Sequence, residues 1–164
     1  MSLESVQQFF QTHAPDVTLI VREVSTATVA LAAAALGVAE AQIAKTLALK
    51  VGETRLLLVT AGTGRLDNQK AKAVFGGKPS MLAPDQVLAL TSHAVGGVCP
   101  FGLPAPVPVY CDVSLRAFTE VYPAAGSNTS AVRLTPERLA ALTEAQWVDV
   151  CRFDQAPGPV GSQP

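Results

Sequence analysis

Two apolar runs, 43–51 (IAKTLALKV) and 54–61 (TRLLLVTA), are separated only by Gly52 and Glu53. A two-residue Gly-X connection between strand-like segments reads as a β-hairpin. A hairpin forces antiparallel pairing, and helix-like and strand-like segments are interspersed around it. A single α/β domain with a mixed sheet therefore fits better than a purely parallel one.

Upstream, residues 3–13 place Leu3, Val6, Phe9 and Phe10 on one helical face, with Ser2 as N-cap. Residues 17–24 (VTLIVREV) read as a strand. An alanine-rich helix is expected over 28–36, capped by Thr28 and stopped by Gly37, followed by a helical turn over 39–42. Downstream, Asp67 can cap a helix over 68–75 that Gly76 and Gly77 end, and Pro84 opens another over 84–92. Residues 94–106 (AVGGVCPFGLPAP) are dense in glycine and proline and form a shaped loop. Residues 107–113 read as a strand, with Pro108 favouring a sheet edge. Strands are expected over 118–122 and 130–134, around a turn at 123–126. A helix opened by Thr135, Pro136 and Glu137 runs through Leu142, and 146–153 (QWVDVCRF) forms a last strand. Residues 1–154 form one domain without internal repeats, and the tail 155–164 (QAPGPVGSQP) is expected to be disordered.

Apolar residues make up 49% of the 164 and charged residues 15%, enough for a substantial core and unlike a disordered chain. Charges or turn residues interrupt the apolar segments before membrane-spanning length, so no membrane contact is expected. The start, Met1-Ser2-Leu3-Glu4-Ser5, lacks the basic head and apolar run of a signal peptide, which makes the cytoplasm the default. The net charge of −1 argues against gripping long nucleic acid through many phosphates, and no DNA is expected as partner. An RNA partner would be met locally, at an end or a loop. Three cysteines, Cys99, Cys111 and Cys151, are widely spaced and odd in number, which disfavours a disulfide framework or structural zinc. Two histidines, His13 and His93, exclude a histidine-rich metal site though not a mixed one, and no cofactor is expected.

Three features could carry chemistry. In a strand, Lys45 shares a face with Ile43, Leu47 and Leu49. A lysine there either lines a cleft or snorkels from a strand end to water. Glycines in Gly96-Gly97-Val98-Cys99-Pro100-Phe101-Gly102 let backbone N–H groups approach a carbonyl or oxyanion closely; an ordinary tight loop is the alternative. The segment lacks the Gly-Lys-Ser/Thr ending of a P-loop. The cluster Gly126-Ser127-Asn128-Thr129-Ser130 could hydrogen-bond a ribose or a carbonyl, or simply cap a turn. Cys99 reads as a nucleophile or as a small buried thiol. Arg65, Lys70, Lys72 and Lys78 could meet phosphates or form a solvated helix face.

Taken in order, "LGV…IAKTL" (36–47), "LDNQKAKAVFGGKPSMLAPDQV" (66–87), "AVGGVCPFG" (94–102) and the segment from Gly126 to Leu134 leading into "TPERL" resemble the YbaK/prolyl-tRNA-synthetase-associated editing family, over about residues 20–153. The resemblance implies a mixed, mostly antiparallel, partly barrel-like sheet flanked by helices. It implies hydrolysis of the ester joining a small wrong amino acid (alanine, cysteine or serine) to the 3′ adenosine of tRNA, most often tRNA for proline, without metal or covalent nucleophile. Its partners would be the acceptor end of aminoacyl-tRNA and prolyl-tRNA synthetase. On this resemblance Lys45 is the pocket lysine, and Gly96 and Pro100 belong to a Gly-x-x-x-Pro loop with Gly97 beside them. Gly96 and Gly97 would hold the carbonyl or oxyanion, and Thr46, Cys99, Pro100, Ser127 and Asn128 would contact substrate. Cys99 stands where relatives can carry serine. Some relatives place an aspartate where this chain has Ala131, which sets it apart from that subfamily. The rival readings are a non-catalytic tRNA- or synthetase-binding module of the same fold, and a thiol hydrolase using Cys99.

Overall fold

The computed structural model describes residues 2–153. The expected disordered tail, 155–164, lies outside the described residues.

The hairpin forms with the expected bounds. Strands β2 (Ile43–Val51) and β3 (Thr54–Ala61) pair antiparallel from Ala44↔Ala61 to Val51↔Thr54, with Gly52 at φ 60 in the turn. The helices are α1 (Ser2–His13), α2 (Val29–Leu36), α3 (Asn68–Phe75), α4 (Pro84–Thr91) and α5 (Pro136–Thr143), and all but the first follow their punctuation: Ser2, expected as the N-cap, lies inside α1, and its hydroxyl donates to Gly126 O instead. Thr28, Asp67 and Thr135 accept the N-cap hydrogen bonds from Leu31, Lys70 and Arg138. The turn at Glu40–Gln42 is a 3-10 helix.

The remaining strands are β1 (Leu19–Val21), β4 (Gly64–Leu66), β5 (Ser80–Met81), β6 (Val109–Asp112), β7 (Tyr122–Pro123), β8 (Ser130–Val132), β9 (Gln146–Val148) and β10 (Cys151–Phe153). The main sheet runs β5-β2-β3-β6-β9, with β7 also joined to β2. It is mixed: β3–β6, β6–β9 and β2–β7 are parallel, and the other pairs are antiparallel. It does not close into a barrel; β5 and β9 are its ends. The largest apolar cluster packs one face of β2 and β3 (Ala44, Ala48, Leu57, Val59) against Phe10, Phe101, Leu115 and Leu139. Leu49, Leu56 and Leu58 pack on the other face with Ala71 of α3.

Several expectations need correction. β6 lies between β3 and β9 rather than at an edge. Pro108 precedes the strand and offers only its carbonyl, which accepts from Leu57 N at 2.9 Å, so its missing N–H breaks no ladder. The strand expected over 118–122 shrinks to Tyr122–Pro123, because Val113–Ala117 winds into a 3-10 helix. The strand expected over 17–24 pairs only at Leu19–Val21. β4 and β5 carry no strand signal, being three and two residues long.

The run 146–153 divides into β9, beside β6, and β10, paired with β4. Buried Asp112 makes the break: its two carboxylate oxygens accept from Val150 N at 2.9 Å and Ser114 N at 3.0 Å. Asp112→Asn loses one acceptor and turns an amide toward a buried N–H. It is expected to cost about 3 kcal/mol, read as a lower denaturant midpoint at unchanged slope.

Candidate active site

The two partners on the outer edge of β2 leave a gap. β7 covers Ile43 and Ala44, and β5 covers Leu49 and Lys50. Beyond β5, Leu82 N donates to Ala48 O at 3.0 Å. Among the described residues, no strand lies against this edge at 45–47. A cavity of about 230 Å³ opens at the notch.

Small side chains build it. Ala44, Thr46 and Ala48 come from β2, Val29 and Ala32 from α2, and Leu82 and Val87 from the α4 region. Gly96 and Val98 enter from the glycine loop, and Tyr122, Ala124, Ser130 and Ala131 from β7 and β8 and the turn between them. Among the described residues, no carboxylate borders the cavity. Thr26 is buried at the wall, held by its N–H on Asn128 O at 2.7 Å. The side-chain oxygens of Thr26 and Thr46 are buried without a hydrogen-bond partner among the described residues, unusual for buried hydroxyls.

Lys45 borders this cavity and also a second groove, on the side of Gly62–Arg65 and Phe153. Half-buried, it is held below the usual lysine pKa by desolvation, with the like charge of Arg65 adding to the effect.

Gly96 has φ 100, a conformation glycine adopts freely, and a side chain there would crowd Ala27. At Gly97 a Cβ would sit 2.7 Å from Ser127 N and 2.8 Å from Gly126 C, so only glycine lets these backbones meet. Gly97 N donates to Ala94 O and Gly97 O accepts from Gly126 N, both at 3.0 Å. The Gly97 N–H is thereby committed inside the loop. The Gly96 N–H has no partner among the described residues.

Of the residues singled out in the sequence, Lys45, Thr46, Gly96 and Ser130 line one cavity. Gly97, Ser127 and Asn128 stand behind it. Ser127 Oγ pairs with the Ser130 hydroxyl at 2.6 Å, and Asn128 fixes Thr26 through its backbone. Pro100 borders a different cleft, with Phe9 and the 102–109 segment. Of the basic stretch, Lys70 is tied to Asp149 at 3.1 Å. Thr26, Val29, Ala32 and Tyr122 were not marked by sequence. They are ordinary helix, cap and strand residues, and only the notch between β5 and β7 gathers them. Among the described residues, no three His, Cys, Asp or Glu side chains gather as metal ligands, and no helix is long and apolar enough to cross a membrane.

Cys99 lies 3.5 Å from His93 Nε2, an arrangement that could suggest a dyad. The chemistry runs the other way. The Phe101 carbonyl, 2.7 Å from the same nitrogen, can only accept, so Nε2 carries the proton and cannot take one from the thiol. Burial pushes the Cys99 thiol up to about 12 and lowers the His93 pKa. Neither residue lines the cavity. Cys99→Ser is expected to keep catalytic turnover within about two-fold, and iodoacetamide should leave the wild type active, as assayed on the proposed substrate.

Residues 23–142 match the aminoacyl-tRNA editing domain family. The uncharacterized protein YwhH of Bacillus subtilis (strain 168) is 44% identical over 154 residues, 93% of this chain and 98% of that protein. A crystal structure described as a candidate trans-editing enzyme for prolyl tRNA synthetase superposes with TM-score 0.86 at 35% identity, covering 92% of this chain and 97% of the other. The hypothetical protein APE2540 matches with TM-score 0.83 at 30% identity, over 90% of this chain and 99% of that one. The family match spans most of the fold and every element of the notch from α2 to β8, and on that ground the chain belongs to the aminoacyl-tRNA editing domain family.

Proposed function

We propose that the protein is a trans-editing deacylase that hydrolyses the ester between a small wrong amino acid and the 3′ adenosine of tRNA, with tRNA for proline as the carrier. One observation carries the reading: a cavity of about 230 Å³, walled largely by apolar side chains, has on its border Lys45 and Gly96, whose N–H has no partner among the described residues. Alanine, serine and cysteine side chains fit such a space, with Ala32, Ala44 and Ala124 on its wall.

In this reading the Gly96 N–H meets the ester carbonyl and holds the oxyanion as water adds. The new C–O bond forms to water, the bond to the ribose 3′ oxygen breaks, and that oxygen leaves with a proton derived from the water. Among the described residues, no histidine or carboxylate borders the cavity to act as base. The ribose hydroxyl of the substrate positions the water instead. Lys45 contributes charge, anchoring the terminal nucleotide through phosphate. The Thr46 hydroxyl, without a hydrogen-bond partner among the described residues, accepts from the substrate α-ammonium. Ser127, Asn128 and Gly97 act by holding the Gly96 loop in place. Such an enzyme works in the cytoplasm, beside prolyl-tRNA synthetase.

The test is a deacylation panel with tRNA for proline carrying alanine, cysteine, serine or proline. Cleavage of one or more of the first three with proline spared is the expected result. Binding of every tRNA with cleavage of none would replace the enzyme with a binding module.

A further inference from the structure

The groove on the far side of Lys45 has its own chemistry. It measures about 590 Å³ and is lined by Lys45, Gly62, Thr63, Gly64, Arg65 and Phe153. The chain turns from β3 into β4 at Gly62 and Thr63, and β10 pairs with β4 so that Phe153 stands opposite Gly64 and Arg152 opposite Arg65. The Phe153 ring lies against Gly64, where a Cβ would come within 3.2 Å of its Cζ, and Phe153 is 42% exposed, unlike the other large aromatics among the described residues. Two cations line the groove, and no carboxylate among the described residues does.

A flat apolar ring beside paired positive charges and a hydroxyl is a combination that suits a nucleotide: the base stacks and the phosphate faces the cations. Among the described residues, Lys45 is the one that borders both spaces. An aminoacyl ester has a small side chain on one side of its carbonyl and a ribose with its base and phosphate on the other. We propose that this groove is a nucleotide subsite, in which a base of a single-stranded RNA 3′ end stacks on Phe153 while its phosphate lies between Lys45 and Arg65. The identity of the RNA rests on the deacylase reading above; the stacking chemistry does not.

The experiment joins kinetics to a binding signal that needs no turnover. Phe153→Ala raises KM for the charged tRNA about ten-fold, the scale of one lost base stack, with the effect falling on KM rather than kcat. Phe153→Trp restores KM and adds a reporter whose fluorescence is quenched by the RNA trinucleotide CCA, while the wild type, with only Trp147, is not quenched. An unchanged KM in Phe153→Ala, with normal deacylation, overturns the subsite and leaves the deacylase. Quenching by CCA in a protein that deacylates nothing keeps the subsite and removes the deacylase. Quenching by adenosine 5′-monophosphate but not by CCA overturns the RNA assignment, since the groove would then take a free nucleotide.

Discussion

Lys45→Ala is expected to lower kcat/KM for mischarged tRNA by about 10²–10³, the usual effect of removing one preorganised electrostatic group from a hydrolytic site. Thermal stability should hardly fall. The ammonium has no ion-pair partner among the described residues, and removing a half-buried charge relieves a desolvation cost. The pH profile separates anchoring from base catalysis. Burial, with Arg65 adding, places the pKa of Lys45 below the ordinary lysine range. The charged form is complete well below that pKa and is lost as pH rises through it. If the charge anchors substrate, kcat/KM, corrected for spontaneous ester hydrolysis, declines on the alkaline side earlier than an ordinary lysine would allow. Lys45→Arg, which does not deprotonate, flattens that decline even at reduced activity. A rate that climbs through the same pKa would make Lys45 a base, and a Lys45→Ala enzyme of near-normal rate would remove it from the mechanism.

Legibility in the sequence follows the range of the interactions. The hairpin, the five helices and the side-chain caps of three of them were readable because their signals are local: Gly52 at a turn, Thr28, Asp67 and Thr135 at helix starts, Pro84 and Pro136 in the first turn. Lys45 stood out because an ammonium on an apolar strand face is costly wherever the chain folds. The division of 146–153 was not readable, since the cause is Asp112, distant in sequence, reaching Val150 N. The edge position given to Pro108 failed for a related reason: β9 adds beyond β6, and nothing near Pro108 reports that partner. The cavity was half legible. Gly96 and Gly97 announce close backbone approach, but which N–H remains open depends on Ala94 and Gly126. Alanines such as Ala32 and Ala124 announce nothing, because a small residue marks a hollow only once its surroundings are known.

Ala32 provides the second large effect. It lies on α2, 6% exposed, with its methyl against the cavity. Ala32→Leu adds three carbons to a space of about 230 Å³ and keeps a strong helix former in α2. The added side chain occupies the hollow rather than displacing packed atoms, so the melting temperature should hold or rise. Deacylation should not survive. One methylene in a discriminating pocket is worth about 1–3 kcal/mol, so three carbons placed where the substrate side chain must lie predict a loss of kcat/KM beyond about 100-fold for alanyl-, seryl- and cysteinyl-tRNA. Affinity for uncharged tRNA should be unchanged, because the nucleotide does not enter this space. That pairing of lost turnover with retained binding is diagnostic. A folded Ala32→Leu protein that still cleaves alanyl-tRNA at the wild-type rate would show that the amino acid sits elsewhere, and the cavity beside β2 would no longer explain discrimination by size.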